Sequence, residues 1–274
     1  MIDAGMNVTL IAFPAAVLYF AGGLATGLRL FAGEGHRRPA RALGIGLGFA
    51  GLLLHGLFLY QELFTDGGVN LGFFKAVSLA AWTVAGLLLV SALSKPVENL
   101  AILALPLAAL TVLLDLRFPG SHMLSEDGGW ALRIHVLSSM LAYSLLTLAS
   151  AQAILLAVQD DHLRRHHPGG FIRALPPLQT MESLLFEMIS VGFAMLSVAL
   201  ATGFIYLEDM FAQHLVHKTA LSLVAWTTFA VLLWGRYRFG WRGRKAIRWT
   251  LVGFAVLMLA YFGSKAVIEL ILRR

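Results

Sequence analysis

The chain has 274 residues, of which 58% are hydrophobic and only 13% charged, against about 25% charged in a typical soluble domain. Its mean hydropathy is +0.77 and its apolar runs are continuous over about 20 residues, the length of a spanning helix, which excludes soluble sheet folds and the short alternating segments of a membrane β-barrel. A net charge of +6 reads here as a loop signal for membrane orientation rather than as a nucleic-acid surface, and the lack of cysteine excludes disulfides, thiolate metal sites and thiol exchange.

Taken in chain order, apolar runs bounded by glycine, proline and charge predict eight spanning helices, at about 7–30, 43–64, 71–93, 97–115, 131–157, 184–207, 214–235 and 247–271. The expected fold is an all-α polytopic bundle, one integral membrane domain over 1–274. The first run follows Met1-Ile2-Asp3-Ala4, without the basic start of a secretory signal, so it is expected to be retained. Fourteen of the 21 Lys and Arg follow runs one, three, five and seven, and seven lie on the other side, which predicts that both termini are extracytoplasmic. The basic stretch from Arg236 to Lys245 is then a topology signal, or a seat for anionic lipid headgroups. Between runs five and six, Pro176 and Pro177 precede Gln179 and Thr180, either of which can cap the next helix. The apolar residues Phe171, Ile172, Leu175 and Leu178 are expected to skim the membrane surface.

The nine histidines divide by this topology. His36, His162, His166 and His167 fall in basic loops and are expected to be solvated; the spacing of His162 and His166 suits a metal, but Arg164 and Arg165 disfavour a cation there. His55 lies within the second run, where a charged group costs about 2.5–3.5 kcal/mol, so it is either a ligand or a histidine satisfied by a neighbouring helix. Gly44, Gly48 and Gly51 share its face and leave room for a partner helix or a flat ligand. His122, His135, His214 and His217 fall near run ends on the expected outer side, with Glu62, Asp66, Asp115, Glu126, Asp127, Glu208 and Asp209. His135 opens run five above a small polar face of Ser138, Ser139, Ala142 and Tyr143, while His214 and His217 share a helical face beside Lys218. No nucleophile and base pair, and no carboxylate dyad of an intramembrane protease, stands out. The chain is not expected to make or break bonds by itself.

The run from Trp130 to Val158, with His135-Val136, Ala142-Tyr143 and Ser150, resembles the helix of CcsA-like cytochrome c assembly proteins that begins with an external haem-ligating histidine. Leu53 to His55 and Asn70-Leu71 resemble the family's segment with an intramembrane haem ligand. Lys218-Thr219, Ala225-Trp226-Thr227, Arg236 and Tyr261-Phe262-Gly263 resemble the stretch after its tryptophan-rich motif. Leu207-Glu208-Asp209, His214, His217 and the Gly240 to Arg244 segment are most like a YpjD- or HemX-like branch.

The resemblance implies an inner-membrane haem-handling protein serving cytochrome c biogenesis or haem homeostasis, with His55 and His135 on the haem iron. The family's second intramembrane histidine falls at Trp234, no histidine lies between Lys265 and Arg274, and Asp209 to His217 replaces the Trp-Trp-Asp signature. His214 or His217 is therefore the candidate replacement ligand, with Arg133 or Lys218 for a propionate. Two alternatives stand beside this one: a haem-free accessory subunit acting on another membrane protein, and a transporter of a small solute or metal ion. The expected surroundings are the lipid bilayer and possible contacts with other membrane proteins or cytochrome assembly components.

Overall fold

A computed structural model describes residues 2–31, 39–65, 68–118, 120, 130–165, 170–206 and 213–260. It contains α1 (Ile2–Phe31), α2 (Arg41–Leu63), α3 (Phe73–Ser94), α4 (Ala101–Arg117), α5 (Trp130–Arg164), α6 (Leu178–Tyr206), α7 (Gln213–Phe239) and α8 (Gly243–Met258). Segments within α1 to α7, with α4 extended by the turn at Glu98–Leu100, make seven helices long and apolar enough to cross a membrane. The chain is thus an α-helical, multi-pass membrane protein. The eighth expected run begins in α8, and its remainder lies outside the described residues, as do His36, His122, His166 and His167.

Helix lengths follow from the bilayer. At 1.5 Å per residue the 23 residues of α2 rise about 34 Å, close to the ~30 Å of hydrocarbon. The 35 residues of α5 rise about 52 Å, so its polar last turns lie beyond the hydrocarbon. This helix continues to Arg164 rather than ending near 157, and α6 begins at Leu178 rather than near 184. The reason is local: Gln159 Nε2 donates to Pro176 O at 3.0 Å, and Met181 N–H donates to Pro177 O at 3.1 Å, so the helix starts directly after the prolines. Gln179 and Thr180 lie inside its first turn and do not precede the helix as caps.

The chain divides into two compact units, Met1–Glu126 with Gly169–Leu175, and Asp127–Pro168 with Pro176–Arg274. In the first unit the principal helix contacts run α1 to α2, α2 to α3, α3 to α4 and α4 to α1, a ring of four. Small residues face inward along α1, where Ala12, Ala15 and Ala16 are buried, with Tyr19 the one large side chain among them, and large ones face outward, where Leu10, Phe13, Val17, Phe20, Leu24 and Leu28 are exposed. Lipid tails solvate the large side chains, so the helices associate through close backbone approach and van der Waals packing. A Cβ on Gly22 would stand 3.0 Å from Gly44 O and 3.1 Å from Gly48 N, and one on Gly51 would stand 3.0 Å from the Tyr19 ring. The α2 glycines thus seat a partner helix, α1. Gly23 likewise seats the Pro106 ring of α4.

A two-residue antiparallel ladder, β1 (Phe64–Thr65) with β2 (Gly68–Val69), turns the chain from α2 to α3 in the register Phe64 to Val69 and Thr65 to Gly68. Asn70 closes the turn: its Oδ1 accepts from Gly72 N–H at 3.3 Å and its Nδ2 donates to Gly120 O at 3.3 Å.

In the second unit the principal contacts run α5 to α6, α6 to α7, α7 to α8 and α8 to α5, again a ring of four. Trp226 Nε1 donates to Ser197 Oγ at 2.9 Å, joining α7 to α6, and Tyr143 OH donates to Leu257 O, joining α5 to α8. The end of α7 carries a left-handed glycine: Gly240 has φ +65°, its N–H donates to Arg236 O at 3.1 Å, and Trp241 N–H donates to Gly235 O at 3.1 Å.

Candidate functional site

Each unit holds a buried or half-buried histidine in a defined polar setting. In the first, His55 on α2 is fully buried. Its Nε2 is 2.9 Å from Ser78 Oγ of α3 and its Nδ1 is 3.3 Å from Tyr19 OH of α1. The Tyr19 ring meets it edge-on at 5.7 Å, and Phe58 packs beside it at 6.4 Å. An imidazole has one donor and one acceptor nitrogen when neutral, and both are engaged here. His55 therefore presents no free lone pair to a metal in this arrangement, and a ligand at Nε2 would have to displace Ser78.

In the second unit, His135 stands in the second turn of α5 and is half-buried. Its Nδ1 lies 2.7 Å from Ala199 O of α6. A carbonyl only accepts, so Nδ1 carries the proton and Nε2 holds the lone pair. The approach exists because Gly203 lacks a side chain: a Cβ there would stand 3.2 Å from both Nδ1 and Cε1 of the ring. That is the only hydrogen bond of the His135 side chain among the described residues. A backbone carbonyl on one ring nitrogen fixes the tautomer and orientation of a metal-ligating imidazole. His135 therefore fits a nitrogen ligand of haem iron, whereas His55 as arranged does not.

The other expected site residues are dispersed. Arg133 is exposed and Lys218 half-buried, and no described contact joins either to His135. His214 and His217 begin α7, but their side chains lie outside the described residues, as do Asp66, Glu126, Asp127, Glu208 and Asp209. Trp234, which the resemblance sets at the family's second intramembrane histidine, is 61% exposed on its unit. His162 is exposed, with Nδ1 2.9 Å from Val158 O. Among the described residues no three His, Asp or Glu side chains form a metal cluster.

A polar group not anticipated as a unit stands where α2 ends, α3 begins and α4 ends. Lys75 Nζ is 2.6 Å from Glu62 Oε2 and 3.7 Å from Asp115 Oδ1. Three further carboxylates organise basic residues. Glu98 pairs with Arg29 at 3.3 Å and with Arg41, which also donates to Ala92 O. Glu182 pairs with Arg236 at 2.8 Å and accepts from Gly243 N–H at 3.3 Å. Arg244 and Arg164 both reach Asp160, at 3.1 and 2.9 Å. The basic stretch at the end of α7 is thus partly neutralised by its own unit.

Comparison with known proteins gives one family: the model described as cytochrome C assembly protein matches residues 44–272. The chain is 30% identical over 226 residues to inner membrane protein YpjD of Escherichia coli K12, covering 80% of this chain and 84% of that protein. It is 30% identical over 260 residues to an uncharacterized 28.8 kDa protein of Azospirillum brasilense, covering 94% of this chain and 85% of the other. It is also similar to the cytochrome c biogenesis protein CcsA of Synechococcus sp. CC9605, at 26% identity over 153 residues, covering 47% of this chain and 50% of that protein. No solved structure matches.

Proposed function

The chain belongs to the cytochrome c assembly protein family, and from that premise we propose that it binds haem at His135, as an inner-membrane protein serving cytochrome c biogenesis or haem homeostasis. The observation that carries this reading is the His135 ring, held by Ala199 O through Nδ1 with its Nε2 lone pair left for iron. Haem would supply an iron centre that a histidine nitrogen can ligate. His135 orients that bond, and Gly203 keeps α6 close enough for the carbonyl to hold the ring. His214 or His217 would be a second ligand, and Arg133 and Lys218 would pair with the propionates. His55 has no ligand role in this reading, because its nitrogens serve Tyr19 and Ser78.

Haem offered to the purified protein in mild detergent tests it. The wild type should develop a Soret band that His135→Ala abolishes or shifts, while His55→Ala leaves the band in place. The double variant of His214→Ala and His217→Ala should shift it as well. The haem-free accessory subunit is a second reading, favoured by the fully hydrogen-bonded His55 and by Trp234 at a ligand position. A wild-type protein that stays colourless would select it.

A further inference from the structure

The trio Glu62, Lys75 and Asp115 brings two carboxylates to one ammonium. Lys75 sits 2.6 Å from Glu62 but 3.7 Å from Asp115, so its closest bond is spent on Glu62. The Lys75 side chain is 2% exposed and that of Asp115 is 0%, whereas Glu62 is 28% exposed. Both Asp115 oxygens are buried without a hydrogen-bond partner among the described residues. Ser78 stands beside this carboxylate without closing a bond of full geometry, and the same hydroxyl meets His55 Nε2 at 2.9 Å. Among the described residues toward this end of the unit, the further titratable and charged groups are Tyr19 on α1, beyond His55, the exposed Tyr60 on α2, and Arg117 on α4, whose guanidinium stacks 5.1 Å over Phe118.

A buried site of this kind carries one uncompensated negative charge, and a charge withdrawn from solvent needs a partner. A hard divalent cation takes six or more oxygens; two carboxylates and a hydroxyl around an ammonium do not provide them. A proton needs one oxygen, and it turns an acceptor-only carboxylate into a donor. Ser78 Oγ is the neighbour able to accept from that donor, leaving the Ser78 hydrogen for His55.

We propose that Asp115 is a proton-binding site, filled from the aqueous phase past the half-exposed Glu62 and held in place by Lys75 and Ser78. In the loading step a hydronium O–H bond breaks, an O–H bond forms on an Asp115 oxygen, and water is released. The charge of the trio falls from one negative to zero. Ser78 then reports the change to His55: with the carboxylate charged, the Ser78 hydroxyl donates to Asp115 and His55 Nε2–H donates to Ser78 Oγ, and with it protonated both bonds reverse as the imidazole proton moves from Nε2 to Nδ1, which then donates to Tyr19 OH. The proposal concerns the first unit alone and holds whether or not haem binds at His135.

Infrared difference spectroscopy on the full-length, haem-free protein, with carbon-13-labelled aspartate, compares mildly acidic with mildly alkaline buffer. The expected result is a carboxylic-acid carbonyl band that appears with acid, is lost in Asp115→Asn, persists in Glu62→Gln and changes frequency in Ser78→Ala. Absence of an acid-dependent aspartate band, or its survival in Asp115→Asn, overturns the proposal. Should Asp115→Asn not fold, an unshifted band in Ser78→Ala overturns it equally. A parallel thermal melt at fixed pH should be insensitive to replacing potassium with sodium; a sodium-dependent rise would mean that a metal cation fills the site instead.

Discussion

Glu182 is a single carboxylate serving two points of one turn. It meets Arg236 on α7 at 2.8 Å and the Gly243 N–H that opens α8 at 3.3 Å, with Arg242 at 3.6 Å. Its side chain is 11% exposed, so an amide in its place keeps one neutral acceptor and turns an N–H donor toward the other half-buried donor. Glu182→Gln should lower stability by about 1.5–3 kcal/mol, the range for hydrogen bonds to charged groups, read as a lower midpoint in thermal unfolding of the detergent-solubilised protein. Asp161→Asn breaks only the exposed i,i+4 pair with Arg165 and should change the midpoint negligibly, as surface pairs do. At this scale the sequence was readable where chemistry is local. His135 was legible as a candidate because an imidazole opens an apolar run. Its orientation was not, since the carbonyl that holds it comes from Ala199, on another helix. Lys75 read as one positive charge among 21, and its two carboxylates became partners only when three helix ends met.

Along the helices, the spacing of Gly44, Gly48 and Gly51 was legible as a smooth face, but the same spacing serves a flat ligand or a partner helix. Tyr19, Gly22 and Thr26 of α1 occupy it. Packing now distinguishes glycines that spacing cannot. A Cβ on Gly44 would stand 2.5 Å from Thr26 Oγ1, while one on Gly46 meets nothing within 4 Å. Gly44→Ala should therefore cost about 1–3 kcal/mol through overpacking. Gly46→Ala should be neutral or stabilise by up to about 1 kcal/mol through helix propensity. Denaturant titration of both variants in mixed micelles checks the pair, and equal effects would remove the packing explanation. The early start of α6 was hidden for a related reason: polar residues diluted its hydropathy, although Pro177 marked the boundary.

For the whole molecule, hydropathy predicted long apolar helices because the bilayer imposes their length, and seven are present among the described residues. The grouping into two rings of four was not legible, since apolar runs say that a helix meets lipid and not which helix it meets. The expected eight-span arrangement makes a further prediction in this cysteine-free chain. Ser94→Cys, at the end of α3, and Gly120→Cys, where a Cβ has no neighbour closer than 3.7 Å, should react with impermeant maleimide from opposite faces, Gly120→Cys from the extracytoplasmic face. Reaction of both from one face would refute the arrangement. Gly240 is unsuitable for such a label because its φ of +65° strains any side chain.

The outward placement of large side chains on α1 also bears on how stability varies with temperature. In a water-soluble protein, unfolding wets the apolar core, and the hydration of that surface gives a large heat-capacity change and a domed stability curve. Here Leu10, Phe13, Val17, Phe20, Leu24 and Leu28 already face the surroundings in the folded state, and separating the helices within a bilayer exchanges contacts between small residues for contacts with lipid tails. Little apolar surface reaches water in that step. The curve for helix separation is accordingly flat, and chilling has almost no hydrophobic driving force to withdraw.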